Sequence, residues 1–212
     1  MYFSLDTNLI LFALIGGSRL HDSIKNLIDE SLDDTLIVSK TSYDEIRKVC
    51  GKKILMATYY FWRFIPSLAK IKDVYSIEFN ESLLKINKKL RSQYPEYQDF
   101  FDLIYKEIDK NYKSNAHSLR LEDFIHELPI AFLNDLDKKM DKIKRNWRKV
   151  SYGEDYAFGI KCYKALLDIK FKDDVDRLIL IDILANIKNI NPLIFYTNDK
   201  DFGKNAKNAK SF

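Results

Sequence analysis

The chain is short of residues that cross-link, ligate soft metals or cradle phosphates, and each shortage excludes something. Only two cysteines occur, Cys50 and Cys162, with no CxxC and no histidine pair nearby. That argues against a disulfide framework or a zinc site and for reduced thiols in a cytoplasmic protein. The three histidines, His21, His117 and His126, are too scattered for a zinc motif. No GxxxxGK[ST], GxGxxG or GxSxG stretch is present, so no glycine-built phosphate loop or serine nucleophile elbow is expected. Apolar runs are brief. The longest, ILMATYYFW at 54–62, is about half of what a membrane span of ~20 residues needs. The N-terminus, MYFSLD, has no basic stretch ahead of an apolar one, so no signal peptide is expected and the NES sequon at Asn80 carries no weight. Excess charge is also small. A net +4 is compatible with a nucleic-acid partner but too weak to argue for one.

What is present alternates. YFSLD (2–6) reads as a short buried strand, followed by a helix carrying Leu9, Ile10, Phe12 and Ala13 that Gly16-Gly17 stops. A second helix runs from about Asp22 to Leu32, with Ile24, Leu27 and Ile28 on one face. TLIVSK (35–40) is a second strand. Thr41 or Ser42 then caps a helix holding Asp44, Glu45, Ile46 and Val49. Towards the C-terminus the same grammar returns: a helix over 153–169, an apolar helix in KDDVDRLILIDILANIKN (172–189), and a strand in NPLIFYTND. These elements predict an α/β fold with a central parallel sheet flanked by helices. The tail, KNAKNAKSF, reads as polar and mobile.

Between them lies a different composition, with few glycines or prolines and breaks near 67–77 and 111–117. The expected organisation is an α/β domain from 1–51 and 151–212 with a mostly helical insertion or cap at 52–150. Its clearest helix follows Pro129, where Leu136, Met140, Ile143 and Trp147 recur at helical spacing. Lys138, Lys142, Arg145 and Lys149 repeat that spacing on the opposite face. They form either a solvated lysine face or a stripe that tracks a phosphate backbone. The aromatic run TYYFWRFI (58–65) is insertion core, a subunit interface of a homodimer, or a base-stacking platform.

Acids stand at comparable places in this grammar. Asp6 and Asp199 each end an apolar strand, and in a parallel sheet functional groups gather beyond the carboxyl ends of the strands. Glu45 lies in the first turns of the helix after the second strand. Asp176 opens the apolar helix, where the helix dipole favours a carboxylate. Two carboxylates about 4 Å apart repel by roughly 4 kcal/mol at an effective dielectric near 20. A converging cluster therefore needs a cation or a shared proton, and all-oxygen ligands select a hard ion such as Mg²⁺ or Mn²⁺. Each acid alone reads as a cap or turn residue before a ligand, and it is the joint pattern, two strand-terminal and two helix-start acids in a compatible order, that favours a shared site. Asp182, about 240° around the helix from Asp176, is expected as a polar edge or a buried pair rather than a ligand of the same ion.

D-T-N after the first strand, a glutamate after the second, D-x-L-I at a helix start and T-N-D-K-D-F after the last strand together resemble the PIN-domain family of metal-dependent nucleases. The resemblance spans roughly residues 1–50 and 170–203 and is silent on the helical middle. It implies that Asp6, Glu45, Asp176 and Asp199 bind one or two Mg²⁺ or Mn²⁺ ions and are catalytic. Asn8 and Thr197 would hydrogen-bond around them, and Asp201 would add a further acid. Asp173 and Asp174 compete with Asp176 for the third position. The implied activity is endoribonucleolytic hydrolysis leaving a 5′-phosphate and a 3′-hydroxyl, with RNA, or DNA, as substrate. The family includes toxins of toxin–antitoxin pairs, so an antitoxin is an implied partner. Lys138, Lys142, Arg145 and Lys149 would hold the substrate backbone. Two departures stand out: the long insertion, and the absence of a clear strand after TNDKDF. Competing expectations are a non-catalytic nucleic-acid or partner-binding module, and a phosphatase using Asp6 as nucleophile. For the phosphatase, Asn8 stands where a second acid would ordinarily be wanted.

Overall fold

The run YFSL pairs on both of its sides. The computed structural model describes residues 2–15, 21–30, 36–144, 147–150, 156–167, 169–171, 173–186, 193–197 and 199–200. In it β1 (Tyr2–Leu5) lies between β2 (Leu36–Ser39) and β4 (Leu193–Tyr196), and β3 (Trp147–Val150) borders β2, giving the order β3-β2-β1-β4. Every neighbouring pair is parallel. Ser4 stands opposite both Ile37 and Phe195, and Leu5 opposite Tyr196. The chain steps outward from β1 to β2 to β3 and then returns to the far side of β1. The strand order therefore reverses between β1 and β4, which makes the carboxyl ends of these two strands the switch point of the sheet.

Helix α1 (Thr7–Ile15) starts directly after β1 and packs on α2 (His21–Glu30). It buries Leu9, Ile10, Leu11 and Leu14. Helix α3 (Lys40–Trp62) leaves β2 without a loop. Later in the chain α9 (Tyr156–Ala165) packs on α10 (Asp174–Asn186), which also lies against β2 and β3. Leu166, Ile179, Leu180, Ile181 and Ile183 form one buried cluster, edged by Val175 and Phe195. Four of these are nearly consecutive on α10, so this helix is enclosed on most sides, as its all-apolar run requires.

The chain divides into two compact units, 1–47 with 138–212, and 48–137. The second is wholly helical. After the rest of α3 come α4 (Ile65–Leu68), α5 (Ile77–Gln93), α6 (Gln98–Glu107), a π-helical turn (Ile108–Tyr112), α7 (Lys113–Asn115) and most of α8 (Leu121–Lys144). Helix α5 is capped by Ser76, whose hydroxyl accepts from Phe79 N–H at 3.2 Å. Its buried Phe79, Leu83, Ile86 and Leu90 recur at helical spacing, and the helix packs on α6 through the face of Phe100, Phe101 and Ile104. Cys50 and Cys162 are free thiols, and burial pushes the Cys50 thiol up to about 12. No helix among the described residues is long and apolar enough to cross a membrane.

Three local readings need correction. The helix expected after Pro129 begins at Leu121 and carries Pro129 inside it. Leu121, Ile125, Leu128, Leu136 and Met140 are all buried, so one apolar stripe runs past the proline and outweighs the backbone hydrogen bond lost there. That helix also ends at Lys144. Trp147 and Lys149, read as its continuation, lie on β3, where Lys149 stands opposite Val38. A short W-R-K-V run rich in strand-forming residues pairs with LIVS instead of extending the helix. Lastly, the cap of α3 is Ser39 rather than Thr41 or Ser42: its hydroxyl accepts from Ser42 N–H at 3.3 Å, the bond of a capping residue to the third helical position.

Candidate active site

Asp6 is the first residue beyond β1 and prolongs the ladder, its N–H donating to Tyr196 O at 3.0 Å. It also caps α1. Its Oδ1 accepts from Asn8 N–H at 3.2 Å, and its carbonyl takes the N–H groups of Leu9 and Ile10. Its other oxygen, Oδ2, accepts from Thr197 Oγ1 at 2.8 Å. Thr197 stands just past β4, and its hydroxyl in turn accepts from Asp199 N–H at 2.9 Å. One hydroxyl thus joins the two strand-end acids across the switch point. Asp6 is only 4% exposed, and burial raises its pKa even though the bonds from Thr197 and Asn8 pull the other way; the charge of Asp199 adds to the rise.

Glu45 comes from α3, in its second turn. Thr7, buried beside Asp6, donates its hydroxyl to Glu45 Oε2 at 2.8 Å. The D-T-N stretch therefore places one residue on each acid, Asn8 through its backbone N–H on Asp6 and Thr7 through its side chain on Glu45. The Asn8 side chain is exposed, and its part here is backbone capping.

Asp176 lies in the first turn of α10 and has the most telling environment. Its pKa is pushed up to about 6, first by burial and then by the charges of Asp6, Asp199, Asp173 and Glu45. All four acids singled out in the sequence therefore share one electrostatic neighbourhood. Asp173 caps α10, its Oδ1 accepting from Val175 N–H at 2.9 Å. Asp174 points to solvent and pairs with Arg177 at 3.1 Å. The Asp176 carboxyl feels Asp6, Asp199 and Glu45 together.

Asp182, two turns further along α10, has a separate task. It is 1% exposed, and its Oδ2 accepts from Ser39 Oγ at 2.6 Å, Thr41 Oγ1 at 2.9 Å and Thr41 N–H at 3.2 Å. A buried carboxylate thus holds the N-terminus of α3, the helix that carries Glu45. Of the two expected roles, a polar edge or a buried pair, Asp182 takes neither literally: it is buried and bonded to the hydroxyls of Ser39 and Thr41. Ser39 was not singled out in the sequence, Thr41 only as a cap candidate and Thr7 only as part of D-T-N, none of them as a partner of an acid. Their one visible signal is a hydroxyl at the end of an apolar strand.

The remaining candidates divide. Lys138 is exposed on α8, and Lys142 stands one turn on. Arg145 and Asp201 lie outside the described residues. With Lys149 on β3, the four basic positions do not form one helix face.

The donor set is all carboxylate oxygen, suited to a hard divalent ion, and mutual repulsion at Asp176 is the condition such an ion relieves. Among the described residues no three acidic, histidine or cysteine side chains are already drawn together at ligand spacing. Asp6 and Glu45 are instead tied to threonine hydroxyls, so the acids are neighbours without being closed around a common point. No protein-family model, curated protein or solved structure matches the chain significantly.

Proposed function

We propose that the chain is a PIN-like, divalent-metal-dependent nuclease that hydrolyses phosphodiester bonds, with RNA as substrate. The observation that carries the reading is the charge environment of Asp176, where Asp6, Asp199 and Glu45 converge from three other elements beside the strand-order switch. Asp6, Asp176 and Asp199 would hold Mg²⁺ or Mn²⁺, with Glu45 completing the set. An ion there supplies acidified water and offsets charge developing on the phosphodiester.

The chain's own residues do the positioning. Thr197 fixes the carboxylate of Asp6 and the backbone of Asp199 at once. Thr7 orients Glu45, and Asp182 secures the helix start from which Glu45 projects. Burial and the neighbouring acids raise the pKa of Asp176 to about 6 in the metal-free chain, so protons compete with a cation there as pH falls below that value. A toxin role with a cognate antitoxin belongs to the resemblance and is tested separately, by growth arrest on expression.

The test is cleavage of a mixed RNA pool in Mn²⁺, with and without EDTA, beside Asp6→Asn. Metal-dependent cleavage that Asp6→Asn abolishes is the expected result. RNA binding that ignores chelation, with no cleavage in either metal, would mark a non-catalytic binding module. A covalent phosphoryl adduct on Asp6 would mark a phosphatase.

A further inference from the structure

Helix α3 carries, in the helical unit, a second feature that the acidic site does not use. The aromatic run 58–65 is not uniformly core: Phe61 and Thr58 are buried, whereas Tyr59 is 57% exposed and Trp62 42%. Leu55, one turn before Tyr59, is also 57% exposed. Lys48, Lys52 and Arg63 are exposed as well. At about 100° per residue, positions 48, 52, 55, 59 and 62 fall within roughly 80° of arc, one continuous stripe about 21 Å long at ~1.5 Å rise per residue. Arg63 follows just past the helix end.

The stripe is basic and aromatic together. Three cations and two aromatic rings share it with one leucine, and the same face turns acidic at Asp44, one turn before Lys48. The Arg63 guanidinium lies 5.3 Å from the Tyr59 ring centre and 5.9 Å from that of Tyr60. Tyr60 is itself stacked on Tyr94 at 3.9 Å between centres, which braces the base of the stripe. Glu96 lies within electrostatic reach of Tyr60, beside the stripe.

From this surface we infer that the face Lys48–Lys52–Leu55–Tyr59–Trp62–Arg63 binds single-stranded nucleic acid, stacking bases on Tyr59 and Trp62 and meeting phosphates with Lys48, Lys52 and Arg63. A strand of bases has both properties the stripe complements: flat apolar rings and a regular negative charge. A second copy of the chain would set these same cations against one another across a two-fold contact, which disfavours it as the occupant. The inference rests on the nuclease reading for the choice of RNA over DNA, and on nothing else from it.

The test reads binding without catalysis. The full chain in EDTA is titrated into a fluorescein-labelled oligouridylate, and anisotropy is measured for wild type, Tyr59→Ala/Trp62→Ala and Tyr59→Phe/Trp62→Phe. Loss of two stacked bases is expected to weaken binding at least roughly tenfold in the alanine pair. The phenylalanine pair should bind nearly as wild type does. Lys52→Ala should flatten the dependence on salt. Should the alanine pair fail to fold, quenching of wild-type tryptophan fluorescence by oligouridylate, absent in Trp62→Phe, carries the same information. Unchanged affinity in a folded alanine pair would overturn the inference. So would a wild-type dimer that this pair converts to monomer without loss of RNA binding, which would make the stripe a subunit interface. Stripe-dependent binding with no metal-dependent cleavage would defeat the nuclease reading alone, and metal-dependent cleavage with unchanged affinity in the folded alanine pair would defeat this inference alone.

Discussion

Thr197 donates its hydroxyl to the Asp6 carboxylate at 2.8 Å, although the two residues stand 191 positions apart in the chain. The same oxygen receives Asp199 N–H at 2.9 Å, so one threonine sets both strand-end acids. Thr197→Val keeps the shape and removes the hydroxyl. A hydrogen bond to a charged group contributes about 2 kcal/mol, so the variant should lose stability of that order and melt several degrees lower. Its metal-dependent cleavage should fall as well, read as a lower kcat. A variant with wild-type melting and wild-type kcat would show that the threonine positions neither acid.

The pH dependence of the metal-free chain should carry the signature of Asp176. Its folded pKa of about 6 lies above the ordinary value of 3.8, so the folded state holds the proton more tightly than the unfolded one. That contribution to stability is full below pH 3.8 and fades as pH rises through about 6. The raised pKa of Asp6 acts in the same direction. Urea midpoints measured in EDTA should therefore decline across this window, and Asp176→Asn should flatten the decline while melting no lower than wild type near neutrality. An undiminished slope in Asp176→Asn would assign the effect to other groups.

Asp182, on the same helix, should respond in the opposite way. Its Oδ2 takes three hydrogen bonds from Ser39 and Thr41 in a buried setting. Asp182→Ala strands those donors and should cost about 2–4 kcal/mol. Denaturant unfolding in EDTA checks this. Two aspartates six residues apart, one neutral or stabilising when neutralised and one costly, would separate the role of the switch-point acids from that of the structural one.

Much of this arrangement was legible from strand ends. A strand that stops at an acid places that acid at the carboxyl edge of a parallel sheet, and two such strands flanking the order reversal bring Asp6 and Asp199 together. Asp176 was legible for a similar reason, since the apolar run of α10 begins right after it. What escaped depends on contacts distant in sequence. That Ser39 rather than Thr41 caps α3 depends on Asp182, 143 residues away. β3 escaped because Trp147 continues the helical spacing of Leu136, Met140 and Ile143. Only pairing with β2 turns that residue into a strand. The aromatic run split between core and surface because successive residues of one helix point to different sides, which composition alone does not resolve.

The central claim is that acids from four separate elements tolerate one another by sharing a divalent ion, and Mn²⁺ uptake tests it most directly. Electron paramagnetic resonance of free Mn²⁺, titrated with the full chain near neutral pH, reports how much ion is bound. The account predicts uptake by wild type, weakened at least about tenfold in Asp6→Asn and in Asp176→Asn, with Asp174→Asn unchanged. Wild-type protein that leaves all the Mn²⁺ free, or binding equal in all four proteins, would contradict it.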